Sequence, residues 1–204
     1  MNTRCLSAIL ATVFLAAGLS LAADAAFYDG TDFLIAGHSP RFDNLSSQLF
    51  GYVDYAVYSP GSFTGSASFP AGKFAYCYQI FNSTTSSNIG RFTVNLDSGV
   101  TADSPNFFVF STGDISPVSE PNSPTAVIYQ FGSRAPQPIF TANHNSSVLF
   151  YAGDFGPETG SGIIAGTPTG STTVSIPVPT PEPASVLLLA LAAPILLKTR
   201  RRKS

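Results

Sequence analysis

Apolar and polar positions alternate with a period of two along most of the chain. The cleanest case is Arg91 to Asp97: Phe92, Val94 and Leu96 fall on one side, and Arg91, Thr93, Asn95 and Asp97 on the other. Period two is the geometry of a strand, and on a helix the same spacing scatters the apolar residues around the axis. Leu49 to Ser59 alternates in the same way, with Val53, Tyr55 and Val57 on one face and Asp54 and Ala56 on the other, and Pro60-Gly61 closes it. Phe74 to Asn82 places Phe74, Tyr76, Tyr78 and Ile80 together. It precedes an all-polar loop, Ser83 to Asn88, so it pairs on paper with Arg91–Asp97 as a hairpin. Phe33 to Ala36 reads as a short edge strand. Phe107 to Ser111, apolar on both faces, reads as a central strand. Thr125 to Phe131, Ser147 to Tyr151 and Ser171 to Ile176 complete the set. The three prolines within Pro117 to Pro124 mark a loop. Gly153 to Gly170 is glycine-rich, with room for a short strand at Ile163-Ile164.

Eight to nine short strands separated by turn residues, with no amphipathic helix, predict an all-β fold. The expected architecture is an antiparallel β-sandwich, immunoglobulin-like or jelly-roll. Two segments stand outside this pattern. The chain opens with Arg4, an apolar stretch from Leu6 to Leu21, and small residues at Ala23 and Ala25, which is the layout of a secretory signal peptide cleaved after Ala25. Cleavage after Ala22, with Ser20 two residues before it, is the alternative. At the other end Pro181-Glu182-Pro183 precedes an uncharged run, Ala184 to Leu197, and a tail containing Lys198, Arg200, Arg201, Arg202 and Lys203. As a helix, that run reaches roughly 21 Å, short of the roughly 30 Å hydrocarbon core, so it is a marginal span and a short transmembrane helix. By the positive-inside rule the basic tail stays cytoplasmic and the body lies on the far side of the membrane. The expected division is therefore a signal peptide at 1–25, a β-sandwich body at 26–176, a linker at 177–180 and a C-terminal segment at 181–204.

The tripeptide Pro181-Glu182-Pro183, the apolar run and the cluster Arg200-Arg201-Arg202-Lys203, in that order, resemble the PEP-CTERM sorting signal of bacterial exported proteins. The resemblance covers about the last 24 residues. It implies passage through the general secretory translocon, a transient hold in the membrane, and handling by an exosortase, an integral-membrane processing enzyme. The destination it implies is the cell surface or exopolysaccharide matrix, with exopolysaccharide as a further candidate partner. An ordinary single-span tail anchor is the alternative.

Charge counting changes once the two ends are set aside. From 26 to 183 there are four Lys and Arg against eleven Asp and Glu, a balance of −7. Phosphate recognition needs clustered cations, so this balance excludes nucleic acid as a partner. Charged residues make up 11% of the chain, about half the usual share, while Phe and Tyr are plentiful, as in an extracellular β-rich domain with uncharged loops. Cys5 falls in the signal segment, leaving Cys77 alone in the body, without an internal disulfide. Within FAYCYQIF it reads as a small buried residue.

Candidate chemistry is sparse. His38 and His144 lie in loop-like sequence without a second ligand at metal spacing. Gly160-Ser161-Gly162 reads as a loop and is not a nucleophile elbow. Asp29 and Asp32 sit close enough in sequence to share a cation but lack the rest of a calcium loop. Asp154 and Glu158 are a conceivable glycosidase pair. Asn44, Asn82 and Asn145 begin N-x-Ser/Thr triplets. Tyr52, Tyr58 and Phe108 are candidates for a sugar-stacking platform. No metal, cofactor or catalytic set is expected. The functional expectation is a non-enzymatic surface or matrix protein, with a secreted carbohydrate-binding module as the alternative.

Overall fold

The structure, a computed structural model, describes residues 33–66, 69–83, 85–133, 136–167 and 170–181. The expected signal peptide with Ala23 and Ala25, Asp29 and Asp32, and the segment 182–204 with its apolar run and basic tail all lie outside the described residues.

All regular structure among the described residues is β, and every strand pairing is antiparallel. The first sheet runs β1 (Phe33–His38), β3 (Leu49–Tyr58), β4 (Phe74–Asn82), β10 (Val148–Gly153), β6 (Ala102–Phe108). Two short strands extend it: β2 (Phe42–Asn44) on β3 and β9 (His144–Asn145) on β4. The second sheet runs β12 (Ser171–Pro179), β11 (Pro157–Thr167), β5 (Asn88–Asn95), β8 (Ala126–Gln130), β7 (Asn122–Ser123).

The alternation read from sequence decides which side chains meet between the sheets. Val53, Val57, Tyr76, Tyr78, Ile80, Leu149 and Tyr151 from the first sheet share one buried cluster with Phe92, Val94, Val127, Tyr129, Ile164 and Ile176 from the second. Each such side chain contributes about 1.5–3 kcal/mol when fully buried. Tyrosine hydroxyls bridge the layers. Tyr78 on β4 donates to the Pro177 carbonyl on β12 (2.6 Å), and Tyr129 on β8 donates to the Phe150 carbonyl on β10 (2.7 Å). A buried phenol needs such a partner, and here each sheet supplies one to the other.

The outer face of the first sheet is partly covered. Ala56, Ala75, Cys77, Val148 and Phe150 form a second buried cluster, over which the β3–β4 connection lays Phe63 and Phe69. The Phe63 ring lies 5.2 Å from Phe150 and 4.9 Å from Phe69. This cover explains why β4 is apolar on both faces.

Four expectations are corrected. The β4 and β5 segments do not form a hairpin. Both edges of β4 are taken by β3 and β10, and β5 pairs with β11 and β8 in the other sheet. The polar segment between them is an arch anchored on β3: Ser83 N–H donates to Phe50 O (2.9 Å), Ser87 N–H to Gln48 O (2.7 Å), and Phe50 N–H to Ser86 Oγ (3.1 Å).

The strand expected at Phe107–Ser111 begins earlier and lies at the sheet edge. Pro105, which cannot donate to a ladder, is accommodated there. Its end is set by the Asp114 carboxylate, which accepts the N–H groups of Phe110 (3.1 Å) and Ser111 (2.8 Å) and turns the chain away.

The glycine-rich stretch is the longest strand, β11, and Gly160-Ser161-Gly162 lies within it. A Cβ at Gly162 would stand 2.9 Å from both the Phe92 ring and the Ile176 side chain, so the missing side chains make room for bulky neighbours on either strand. Finally, β12 continues to Pro179, so residues 177–179, expected as linker, are strand.

Candidate functional site

Most of the residues singled out from sequence take up structural roles. Cys77 is buried under Phe63 and Phe69, and burial pushes its thiol well above the ordinary range. His144 is held within its own turn, with Nδ1 3.0 Å from both Thr141 Oγ1 and Ala142 O. Asp154 pairs with Lys73 (3.1 Å), which also contacts Asp103. Those two carboxylates hold the Lys73 ammonium above its usual range, through the hydrogen bond to Asp103 first and that to Asp154 second. Glu158 instead lines a small cleft of about 190 Å³ with His38, Tyr55 and Ser175, between β1 and the β11–β12 pair. Ser161 Oγ accepts from Asn95 Nδ2 (2.9 Å). Among the described residues no three His, Cys, Asp or Glu side chains converge.

The three aromatics expected as a platform separate. Tyr58 and Phe108 pack around Phe63 on the covered half of the outer face. Tyr52 lies elsewhere, stacked on Phe81 at 4.5 Å with the rings 7° from parallel. There it forms part of the larger cleft, about 420 Å³, lined by Arg41, Gly51, Tyr52, Phe81, Asn82, Ser83, Asn143 and Asn145.

Four chain segments build this cleft, with Arg41 supplied by the connection between β1 and β2. β3 and β4 are in register at Gly51–Asn82 and Tyr52–Phe81, and the direct opposition of Tyr52 and Phe81 brings the two rings together. Gly51 is required here: a Cβ would lie 2.0 Å from the Phe81 carbonyl oxygen and 2.7 Å from the Phe42 ring. The third segment is the turn before β9. Asn143 adopts φ 60°, a left-handed conformation that asparagine tolerates. Its N–H reaches Asn82 O (3.0 Å) and Ser83 O (3.3 Å), and β9 then pairs with the end of β4.

The chemistry of the lining is polar and amide-rich. Asn82 is buried. Its Nδ2 donates to Ser87 O (3.0 Å) and Phe140 O (3.4 Å), which leaves Oδ1 without a donor among the described residues. Burial also makes Asn82 an unsuitable acceptor for a glycan on its N-x-Thr triplet. Arg41 is exposed, and its guanidinium carbon stands 5.9 Å from the Tyr52 ring centre. His38 meets the same ring edge-on at 5.8 Å and contacts the buried Asp54 carboxylate. Arg41, Phe81 and Asn143 carried no motif in the sequence. The available signals were that Arg41 is one of only four body cations and that Asn143 and Asn145 flank His144 in an asparagine-rich turn. Pro181, the first residue of the expected sorting tripeptide, directly follows Thr180, whose N–H is bonded to Gly156 O (3.3 Å). Comparison with protein-family models, with curated proteins and with solved structures finds no match to this chain.

Proposed function

We propose that this chain is an exported cell-surface or extracellular-matrix protein without enzymatic activity. It crosses the membrane through the general secretory translocon and is sorted by a PEP-CTERM-type tail that an exosortase processes. The observation that carries this reading is the ordered C-terminal series, Pro181-Glu182-Pro183, an uncharged run and Lys198 to Lys203, matched by the leader with Arg4, Ala23 and Ala25. The acidic, cation-poor body between the two ends is consistent with it. The test is mass spectrometry of the cell-associated and released protein. Loss of the segment containing Arg200 to Ser204 supports sorting, whereas a mature form that retains it is a plain tail anchor.

For the body, we favour the immunoglobulin-like form of β-sandwich over the jelly-roll. The order β3-β4-β10-β6 follows the A-B-E-D order of that fold, and β12-β11-β5 follows G-F-C. The chain departs from the pattern in lacking a disulfide, and in placing β8 beside β5 only after β6 has been laid down. A second functional reading, a carbohydrate-binding module, is favoured by one feature, the amide- and aromatic-lined cleft at the β3–β4–β9 end.

A further inference from the structure

We propose that this cleft binds a saccharide unit bearing a carboxylate, such as a hexuronic acid residue of a polysaccharide. The inference rests on the carbohydrate-binding reading of the cleft and names the ligand class within it.

A cleft of about 420 Å³ is within the range of small-ligand sites and large for a single water cluster. Its lining suits a sugar on two counts. A pyranose presents many vicinal hydroxyls, each both donor and acceptor. Side-chain amides offer the same pair of functions, and Asn143 and Asn145 bring two of them, with Ser83 adding a hydroxyl; Asn82, whose Nδ2 is already committed, adds only its Oδ1. A pyranose also has an apolar C–H face, which packs on an aromatic surface, and the partly exposed Tyr52 ring, backed by the buried Phe81, contributes that surface.

The preference for an acidic sugar comes from Arg41. Residues 26 to 183 carry four cations against eleven acids. Lys73 is already shared between Asp103 and Asp154. Arg41 instead has no carboxylate within ion-pair distance among the described residues, and its contact is with the Tyr52 ring at the cleft. Placed over an aromatic face, a guanidinium keeps its planar fork of donors available, and that fork matches a carboxylate in two parallel hydrogen bonds. The clasp of Asn143 N–H onto Asn82 O and Ser83 O fixes the backbone that carries these side chains, so only the side chains themselves need ordering on binding.

The test is isothermal titration calorimetry on the full chain in detergent, with a tetrasaccharide of hexuronic acid and a neutral hexose tetrasaccharide of the same linkage. The uronate ligand is expected to bind saturably and more tightly than the neutral one, with affinity falling as ionic strength rises. Arg41→Gln is expected to weaken the uronate by roughly tenfold or more and to leave the neutral sugar unchanged. Asn145→Ala is expected to weaken both. Circular dichroism melting of each variant confirms that the body remains folded, since Arg41 and Asn145 side chains carry no core packing. Equal affinities for the two sugars, insensitive to Arg41→Gln, overturn the acidic-sugar assignment and leave a neutral lectin. Absence of saturable binding to either overturns the carbohydrate-binding reading with it, while the sorting proposal stands or falls separately by mass spectrometry.

Discussion

The hydroxyl of Tyr78 offers a clean probe of what holds the two sheets together. It donates to Pro177 O at 2.6 Å and lies 3.3 Å from the Tyr151 hydroxyl, fully buried. Burial pushes the phenol well above its ordinary range, so the donor stays protonated through the alkaline region. Tyr78→Phe removes this one oxygen. The ring contacts remain, including the edge-on packing against Phe92 at 5.7 Å. What is lost is the partner of a buried carbonyl, and leaving such an acceptor unsatisfied costs about 1–3 kcal/mol. For a domain of about 150 residues, each kcal/mol moves the melting midpoint by about 2–4 °C, so a loss of about 2 kcal/mol lowers it by about 4–8 °C.

The effect is also expected to be local. Among the described residues β12 pairs only with β11, and Pro177 supplies no N–H, so the Tyr78 bond adds to the burial of Ile176 and Val178 in fixing the strand near its end. Hydrogen exchange in Tyr78→Phe is therefore expected to quicken at Val174, Ile176 and Val178 ahead of the rest of the second sheet. Tyr129→Phe is the control: it loses the bond to Phe150 O on β10, lowers the midpoint by a similar amount, and leaves β12 exchange unchanged relative to its neighbours. A midpoint for Tyr78→Phe within about 1 °C of the parent, with β12 exchange unaltered, would refute the assignment of this hydroxyl as an inter-sheet tie.

Gly51→Ala is expected to cost about 3 kcal/mol or more, because its Cβ would meet the Phe81 carbonyl and cannot be relieved without breaking the β3–β4 register; Gly162→Ala, which meets only side-chain ends, is expected to cost less, with urea denaturation ranking the two. Lys73→Met is expected to lower stability by about 0.5–1 kcal/mol, since the paired carboxylates are about half exposed. Because the folded Lys73 pKa is raised, its contribution is fully present below about pH 10.4 and is lost as pH rises through the folded value, so the parent–variant difference stays flat from about pH 7 to 10 and shrinks only above about pH 10.4.

Alternation along β3, β4 and β5 makes the inward faces legible from the residue order alone, because a strand of period two has only two ways to point. It cannot name neighbours. The same Phe92-Val94-Leu96 stripe serves equally for a hairpin with β4 or for the opposite sheet, and the choice rests on which edges of β4 other strands occupy. β11 is hidden for a different reason. Glycine carries no alternation signal, and Gly160 and Gly162 are there to make room for Val178, Phe92 and Ile176, residues contributed by other strands. The cleft is illegible for the same reason on a larger scale. Arg41, Tyr52, Asn82 and Asn145 are spread over about half the chain and come together only through the β3–β4 and β4–β9 registers.

The extension of β12 bears on how a tail of the proposed kind would be processed. With 177–179 in the strand and Thr180 bonded to Gly156, only two residues of the sequence, Glu182 and Pro183, separate the described fold from Ala184. On the sorting reading, the body is then carried at the membrane surface instead of on a stalk. An enzyme cutting at the tripeptide must work against the folded domain or draw the end of β12 out of its pairing with β11. Two features favour the second course: among the described residues β12 is paired on one side only, and Pro177 and Pro179 withhold two N–H donors from the ladder. The resistance is the burial of Ile176 and Val178 in the core between the sheets, together with the Tyr78–Pro177 bond. The hydroxyl that ties the sheets thus acts with these two side chains in setting how readily β12 yields its end.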